Sequence, residues 1–438
     1  MIIYIALIIL LILEAIIARA NPSYAIAIIL IINLLIPGII KIDIGAINLN
    51  AFNLSVCIYC IVIFFGKKNK RLLALRRTLI IYAVYIFIAL LIATLDQFYL
   101  FEFLQRYILF LLEYICLAYA FTYVKCDNKT SKVFDIGVII SGLIIIGYGI
   151  CNYILQLNPY IGYLSILTDT DDMSNLFQFE QRGFIEGRIS STFTHPLQLG
   201  QASVIMFAYS FYQFKNRINK LLYYLICIGL ILMCFLCGSR SAIFPIVIIL
   251  ALYIIFSSPQ KIFSYFIIAI VVASVGFYSL PKETQTTIKA LVFVWDKKAS
   301  DNADIRGSSI DSRMVQLNDA MRIIKGNTLL GKGEGYVSKY GSKHPEMYGY
   351  ESIILKYIVD GGVLGLIAFL VFYIKLYRIL LSNALNRFDK SRVHSLFISF
   401  FVNILLTGIA YSFFTLFMIF YLMTYYSIKS SNRFLIKN

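Results

Sequence analysis

Apolar stretches of nearly bilayer-spanning length follow one another along the whole chain, separated by short polar breaks. Crossing a bilayer takes roughly 20 residues of helix. Runs near that length recur at 2–18, 23–40, 49–65, 78–95, 102–124, 134–156, 197–214, 220–237, 240–257, 262–280, 351–374, 393–409 and 412–428. They predict an all-α polytopic membrane protein with about 12–13 transmembrane helices. The first run lacks the positive n-region of a cleavable signal, although "ARA" at 18–20 resembles a cleavage site, so it is read as a retained span.

Composition agrees. The 438 residues are 60% hydrophobic and 14% charged, against roughly 45–50% and 25% in soluble domains. The net charge of +16 is concentrated in short breaks: 66–77, 125–132, 215–220, 375–392 and the C-terminal tail are all basic. Short Lys/Arg-rich loops stay in the cytoplasm. These segments fall on one side when the helices are threaded alternately. The other side receives 41–48, 96–101, 157–196, a tight turn at Gly238–Arg240, and 281–350. The chain therefore reads as a single transmembrane domain, 1–438, with two larger outward loops at 157–196 and 281–350. Anchoring charges account for the basic balance, so no nucleic-acid partner is expected. Cys57/Cys60 and Cys234/Cys237 have C-x-x-C spacing but lie in apolar spans, where they read as small buried hydrophobes rather than metal or redox sites.

The outward loop 281–350 contains "GNTLLGKGEGY" (326–336), which nearly spells a phosphate-binding loop, with Gly333 where the hydroxyl residue should stand. No strand precedes it. What precedes it is "SRMVQLNDAMRIIK" (312–325), in which Met314, Leu317, Met321 and Ile324 recur at helical spacing, predicting an amphipathic helix on the membrane surface. The glycines then end that helix and turn the chain. An outward address, with no ATP supply, also argues against nucleotide binding.

Three outward stretches carry a resemblance: "GRISSTFTHPLQLGQ" (187–201), "CGSRSAI" (237–243), and "SRMVQLNDAMRIIKGNTLLGKGEG" followed by "YESIILKYIVDGGVLGL" (350–366). In this order and topology they resemble the O-antigen ligase and O-antigen or capsular polysaccharide polymerase superfamily. The resemblance spans roughly residues 185–370. It implies a GT-C-like membrane glycosyltransferase of the bacterial inner (plasma) membrane, working without cofactor or metal on undecaprenyl diphosphate-linked oligosaccharide at the outer face. A flippase and a chain-length regulator are the partners such an enzyme implies. In the ligase branch a His-Asn pair commonly begins the helix after the large loop. Here Glu351-Ser352 stands there, with His344 seven residues earlier. That departure favours a polymerase.

Such a transfer needs the diphosphate held, a hydroxyl activated and water excluded. Arg suits the first task, because its planar fork makes bidentate charge-assisted bonds to phosphate oxygens. Arg188, Arg240 and Arg313 stand at the three motifs; snorkelling or loop ion pairs are their bland alternatives. Glu351 and His344 are the candidate bases, although Glu351 also suits a helix N-terminus on electrostatic grounds alone. His195 would touch substrate or cap the next helix. Lys356 and Asp360 share a helix face and line a wet cleft or neutralise each other. Gly361, Gly362 and Gly365 read as close-packing positions, and Glu14 and Glu113 as intramembrane acids with no assigned partner. Asp169, Asp171 and Asp172 present an acidic loop, read as solvated rather than as a metal site. The leading expectation is a polysaccharide polymerase. The alternatives are an O-antigen ligase using lipid A core as acceptor, and a lipid-linked oligosaccharide flippase.

Overall fold

The computed structural model describes residues 2–44, 47–66, 73–96, 100–124, 128–168, 188–215, 217–257, 310–333, 336–337, 352–406 and 414–435, with isolated positions 278, 282 and 285. At Arg240 and Arg313 it describes the backbone alone. Helix dominates. α1 (Ile2–Ala20) and α2 (Pro22–Leu35) lead into a short antiparallel hairpin, β1 (Lys41–Ile44) and β2 (Ile47–Asn50). Then come α3 (Ala51–Phe65), α4 (Leu73–Asp96), and α5 (Leu100–Phe110), which runs through a π-helical turn (Leu111–Cys116) into α6 (Leu117–Phe121). α7 (Asn128–Leu155) and α8 (Pro159–Thr168) precede α9 (Pro196–Gln213), α10 (Lys220–Leu236) and α11 (Arg240–Ser257). α12 (Ile310–Ile323), α13 (Ile353–Leu381), α14 (Arg387–Leu406) and α15 (Phe414–Leu435) complete the described elements.

Helix starts follow local chemistry. Asn21, Asn50, His195, Asn219 and Ser352 each accept a backbone N–H of the following first turn, opening α2, α3, α9, α10 and α13. Such a cap satisfies one of the donors that a helix N-terminus leaves orphaned. Pro22 and Pro196 occupy the first helical turn, where the missing N–H costs nothing.

Large apolar side chains cover the outside of this bundle. On α1, Ile5, Ile9, Ile12 and Ile16 form one exposed stripe, while Glu14 on another face is fully buried and accepts from Ser55 Oγ at 2.6 Å. Only lipid makes such an exterior stable. Among the described residues five helices are long and apolar enough to cross a membrane, and four apolar ones are shorter. Helices α9, α14 and α15 lie under predicted spans too, yet are less apolar because they are enclosed by other helices and use polar groups as internal glue. The predicted span 262–280 lies almost entirely outside the described residues.

The basic breaks meet at one end of the bundle. Arg217 Nη1 donates to Ser131 Oγ at 2.7 Å and pairs with Asp135 Oδ2 at 3.3 Å. Asp135 also accepts from Tyr209 OH at 2.8 Å and Gln213 Nε2 at 3.2 Å. Ser427 links Gln213 Oε1 to Arg392 Nη1, each at 3.0 Å. Described residues of the basic breaks 125–132, 215–220 and 375–392 thus share one face with Ser427 of α15, as the charge pattern requires. Asp135→Ala would strip buried Tyr209 of its acceptor and remove the ion pair with Arg217. Thermal unfolding in detergent should show a loss of roughly 2–4 kcal/mol.

At the opposite end Tyr160 OH donates to Leu35 O at 2.9 Å, Thr192 Oγ1 to Leu34 O at 3.0 Å, and Asn158 Nδ2 to Ser190 Oγ at 3.0 Å. The two ends of the predicted outward segment 157–196 are therefore joined to each other and to the end of α2.

Candidate functional site

Two of the three resembling motifs meet at that end. Ile189 N donates to Leu236 O at 3.3 Å, laying the end of the first outer loop along the end of α10. Arg188, 4% exposed, donates from Nε to Cys237 O at 2.9 Å. Gly238 follows at φ +61°, and a Cβ there would sit 3.2 Å from Arg188 Cγ and 3.3 Å from its Nε. The positive φ favours glycine, and an added Cβ would press on the Arg188 side chain. Ser239 and Ser241 hydroxyls are 2.7 Å apart, and Ala242 N reaches Ser239 O at 3.1 Å to start α11, whose first residue is Arg240. α9 closes on the same turn, since a Cβ at Gly200 would lie 2.8 Å from Cys237 Sγ and 2.9 Å from Ala242 Cβ. Arg188 therefore underpins the turn that carries Arg240. Its Nε is committed to the protein, a use that the sequence reading did not foresee.

The third motif assembles on α13. α12 packs through Leu317, Ala320 and Ile324 against Leu355 and Val359. Of the stripe read from the sequence, Leu317 and Ile324 face α13, whereas Met314 and Met321 are exposed, 51% and 47%. The small Ala320 completes the packed face instead. Arg313 belongs to the first turns of α12. Glu351 and His344 lie outside the described residues. Glu351 immediately precedes Ser352, which caps α13 and donates to Ile404 O at the far end of α14, 3.3 Å away. α11 and α13 both pack on α14.

The glycine-rich loop has an unexpected job. α13 breaks at Gly362, with φ +62° and ψ −159°. Into the break fits the segment after Gly326: Val363 N donates to Thr328 O at 3.0 Å and Leu364 N to Leu329 O at 3.1 Å. In return Lys332 N and Gly333 N donate to Val359 O and Asp360 O, both at 2.8 Å. Those amides would face phosphate in a nucleotide loop; here they complete a broken helix. The preceding element is a helix as well, so the likeness to a phosphate loop is one of letters only.

Lys356 and Asp360 turn to different partners. Asp360 Oδ1 accepts from Val337 N at 2.8 Å. Lys356, Lys41 of the hairpin and the Asn53 side chain all lie near Glu113. Glu113 sits in the π-helical turn, a feature frequent at functional sites. Sequence spacing could not find this juxtaposition, because it joins four separate elements. His195 Nδ1 accepts from Leu197 N at 3.1 Å and so caps α9, one of its two expected roles. Asp169, Asp171 and Asp172 lie outside the described residues.

A bundle with lipid-compatible walls, basic loops at one end and motif-bearing turns at the other defines a polytopic all-α membrane protein. Residues 225–370 match a protein-family model described as O-antigen ligase. That stretch runs from α10 through the Arg240 turn and α12 into α13, so the part of the chain that carries two of the three motifs is similar to the O-antigen ligase family. No curated protein matches the chain.

Proposed function

We propose that this protein is a polysaccharide polymerase that moves a growing glycan from its undecaprenyl diphosphate carrier onto the next lipid-linked repeat at the outer face of the plasma membrane. The acceptor hydroxyl attacks the anomeric carbon of the donor sugar. The bond from that carbon to the diphosphate oxygen breaks, the lipid diphosphate leaves, and the hydroxyl proton passes to Glu351 or His344 as general base. Arg240 and Arg313 hold the diphosphate oxygens, and Arg188 presents Arg240 while adding its own charge.

The observation that carries this reading is the Arg188–Cys237 bond, which places a buried guanidinium directly beneath an arginine-bearing turn at the loop end of the bundle. A lone snorkelling arginine would need no such support. Glu351-Ser352 at the start of α13, in place of a His-Asn pair, favours the polymerase branch. The description of the matched family supports a second reading, ligation to a lipid A core acceptor.

Deleting the gene and resolving surface polysaccharide by gel separates the two. A polymerase mutant keeps a single repeat on its acceptor and loses the ladder, whereas a ligase mutant displays no repeat at all. Purified protein that extends a lipid-linked repeat in detergent, with no compartment to cross, would eliminate a flippase.

A further inference from the structure

The loop that fills the break in α13 pairs with that helix several turns from its first residue. It pairs with residues 359–364, which lie roughly 9–17 Å along the axis from the first residue of the helix at 1.5 Å per residue. α13 is one of the five helices long and apolar enough to cross a membrane. Beyond Gly362 its two faces are distinct. Phe369, Phe372, Tyr373, Leu376 and Leu380 are buried in the bundle, while Val363, Leu364, Ile367, Val371 and Ile374 are exposed along the opposite side. In a spanning helix that exposed stripe is the surface that lipid covers.

Leu329 and Leu330 extend it. They are 64% and 45% exposed, and Leu329 O accepts from the backbone of Leu364, a member of the stripe. Irregular backbone survives at hydrocarbon depth only when its polar groups are satisfied by protein. Here Thr328 O, Leu329 O, Lys332 N and Gly333 N are paired with α13, and Gly331 N with Asn327 O at 2.7 Å. The close approach that permits this pairing needs two glycines, since a Cβ at Gly331 would lie 2.5 Å from Gly362 N, and one at Gly362 would lie 2.5 Å from Gly331 N.

We infer that residues 327–333 form a re-entrant membrane loop, with Leu329 and Leu330 buried in the acyl chains of the leaflet at the start of α13. This differs from a loop lying in water outside the membrane. It holds whichever glycan reaction the protein performs, because it is argued from the backbone pairing and the exposed leucines beside the lipid-facing stripe of α13. The occupant of this surface is lipid hydrocarbon, continuous with that covering Val363, Leu364 and Ile367. Lys332, on the ascending side, then stands at headgroup level, where its ammonium meets lipid phosphates.

The chain has a single tryptophan, Trp295, so a clean optical probe is available. Leu329→Trp in a Trp295→Phe background, reconstituted as full-length protein into bilayers of phosphatidylcholine brominated near the top or the middle of its acyl chains, should lose fluorescence to bromine and resist aqueous acrylamide. Val371→Trp in the same background gives the reference for a lipid-facing position deeper in the span. Quenching of Leu329→Trp by acrylamide, or its insensitivity to both quenchers while Val371→Trp responds to bromine, overturns the proposal. If Leu329→Trp does not fold, Leu330→Cys carrying a nitroxide makes the same distinction, with access to oxygen expected and access to a water-soluble nickel complex overturning it.

Discussion

Replacing Gly362 with alanine should be among the most damaging single substitutions in the chain. Its φ of +62° and ψ of −159° lie in a region open essentially only to glycine, which costs another residue about 1–3 kcal/mol. The added Cβ would also meet Gly331 N and Leu329 O at 2.5 Å, both backbone atoms without freedom to swing aside. Overpacking of that kind costs a further 1–3 kcal/mol or so. Together they predict a loss of about 2–6 kcal/mol, read as a lower unfolding temperature in detergent. Gly365→Ala is the internal control, since its Cβ would meet nothing nearer than 3.5 Å. Two variants of equal stability would remove the interlock as the reason for this glycine.

Arg240→Lys is expected to have the largest effect on activity. It keeps the charge and loses the planar fork, so a point charge replaces two parallel N–H bonds to phosphate. Removing one well-placed donor from an electrostatic site typically costs on the order of 10²–10³ in rate. Surface polysaccharide should therefore collapse to single repeats while the protein accumulates normally in the membrane. Full-length polymer from Arg240→Lys would remove the diphosphate-holding role and leave the residue as a membrane anchor.

Much of the architecture was legible in the sequence because lipid imposes simple rules. Apolar length locates the helices, and charge groups the basic breaks 125–132, 215–220 and 375–392, which the network of Arg217, Asp135 and Arg392 joins. The caps were legible too, as with Pro196 after His195. Depth and pairing were not. "GNTLLGKGEGY" reads as a solvent loop because its glycines announce turns, and nothing in its letters tells that Gly331 is matched to Gly362. Similarly, Gly361, Gly362 and Gly365 look equivalent as small residues, yet only Gly362 adopts a positive φ. The stripe on α12 divides between two surroundings that helical spacing does not distinguish, with Leu317 and Ile324 packed on α13 while Met314 and Met321 stay exposed. Glu113 could not be paired from sequence at all, since Asn53, Lys41 and Lys356 reach it from three other elements.

The bond from Arg188 to Cys237 O, with the strand-like contact of Ile189 to Leu236 beside it, has a mechanical corollary. It fastens the trailing end of the 157–196 segment to the hairpin between α10 and α11, so a tug on either travels to the other. A glycan or accessory protein that grips that segment would thus act as a lever on Arg240 without touching it.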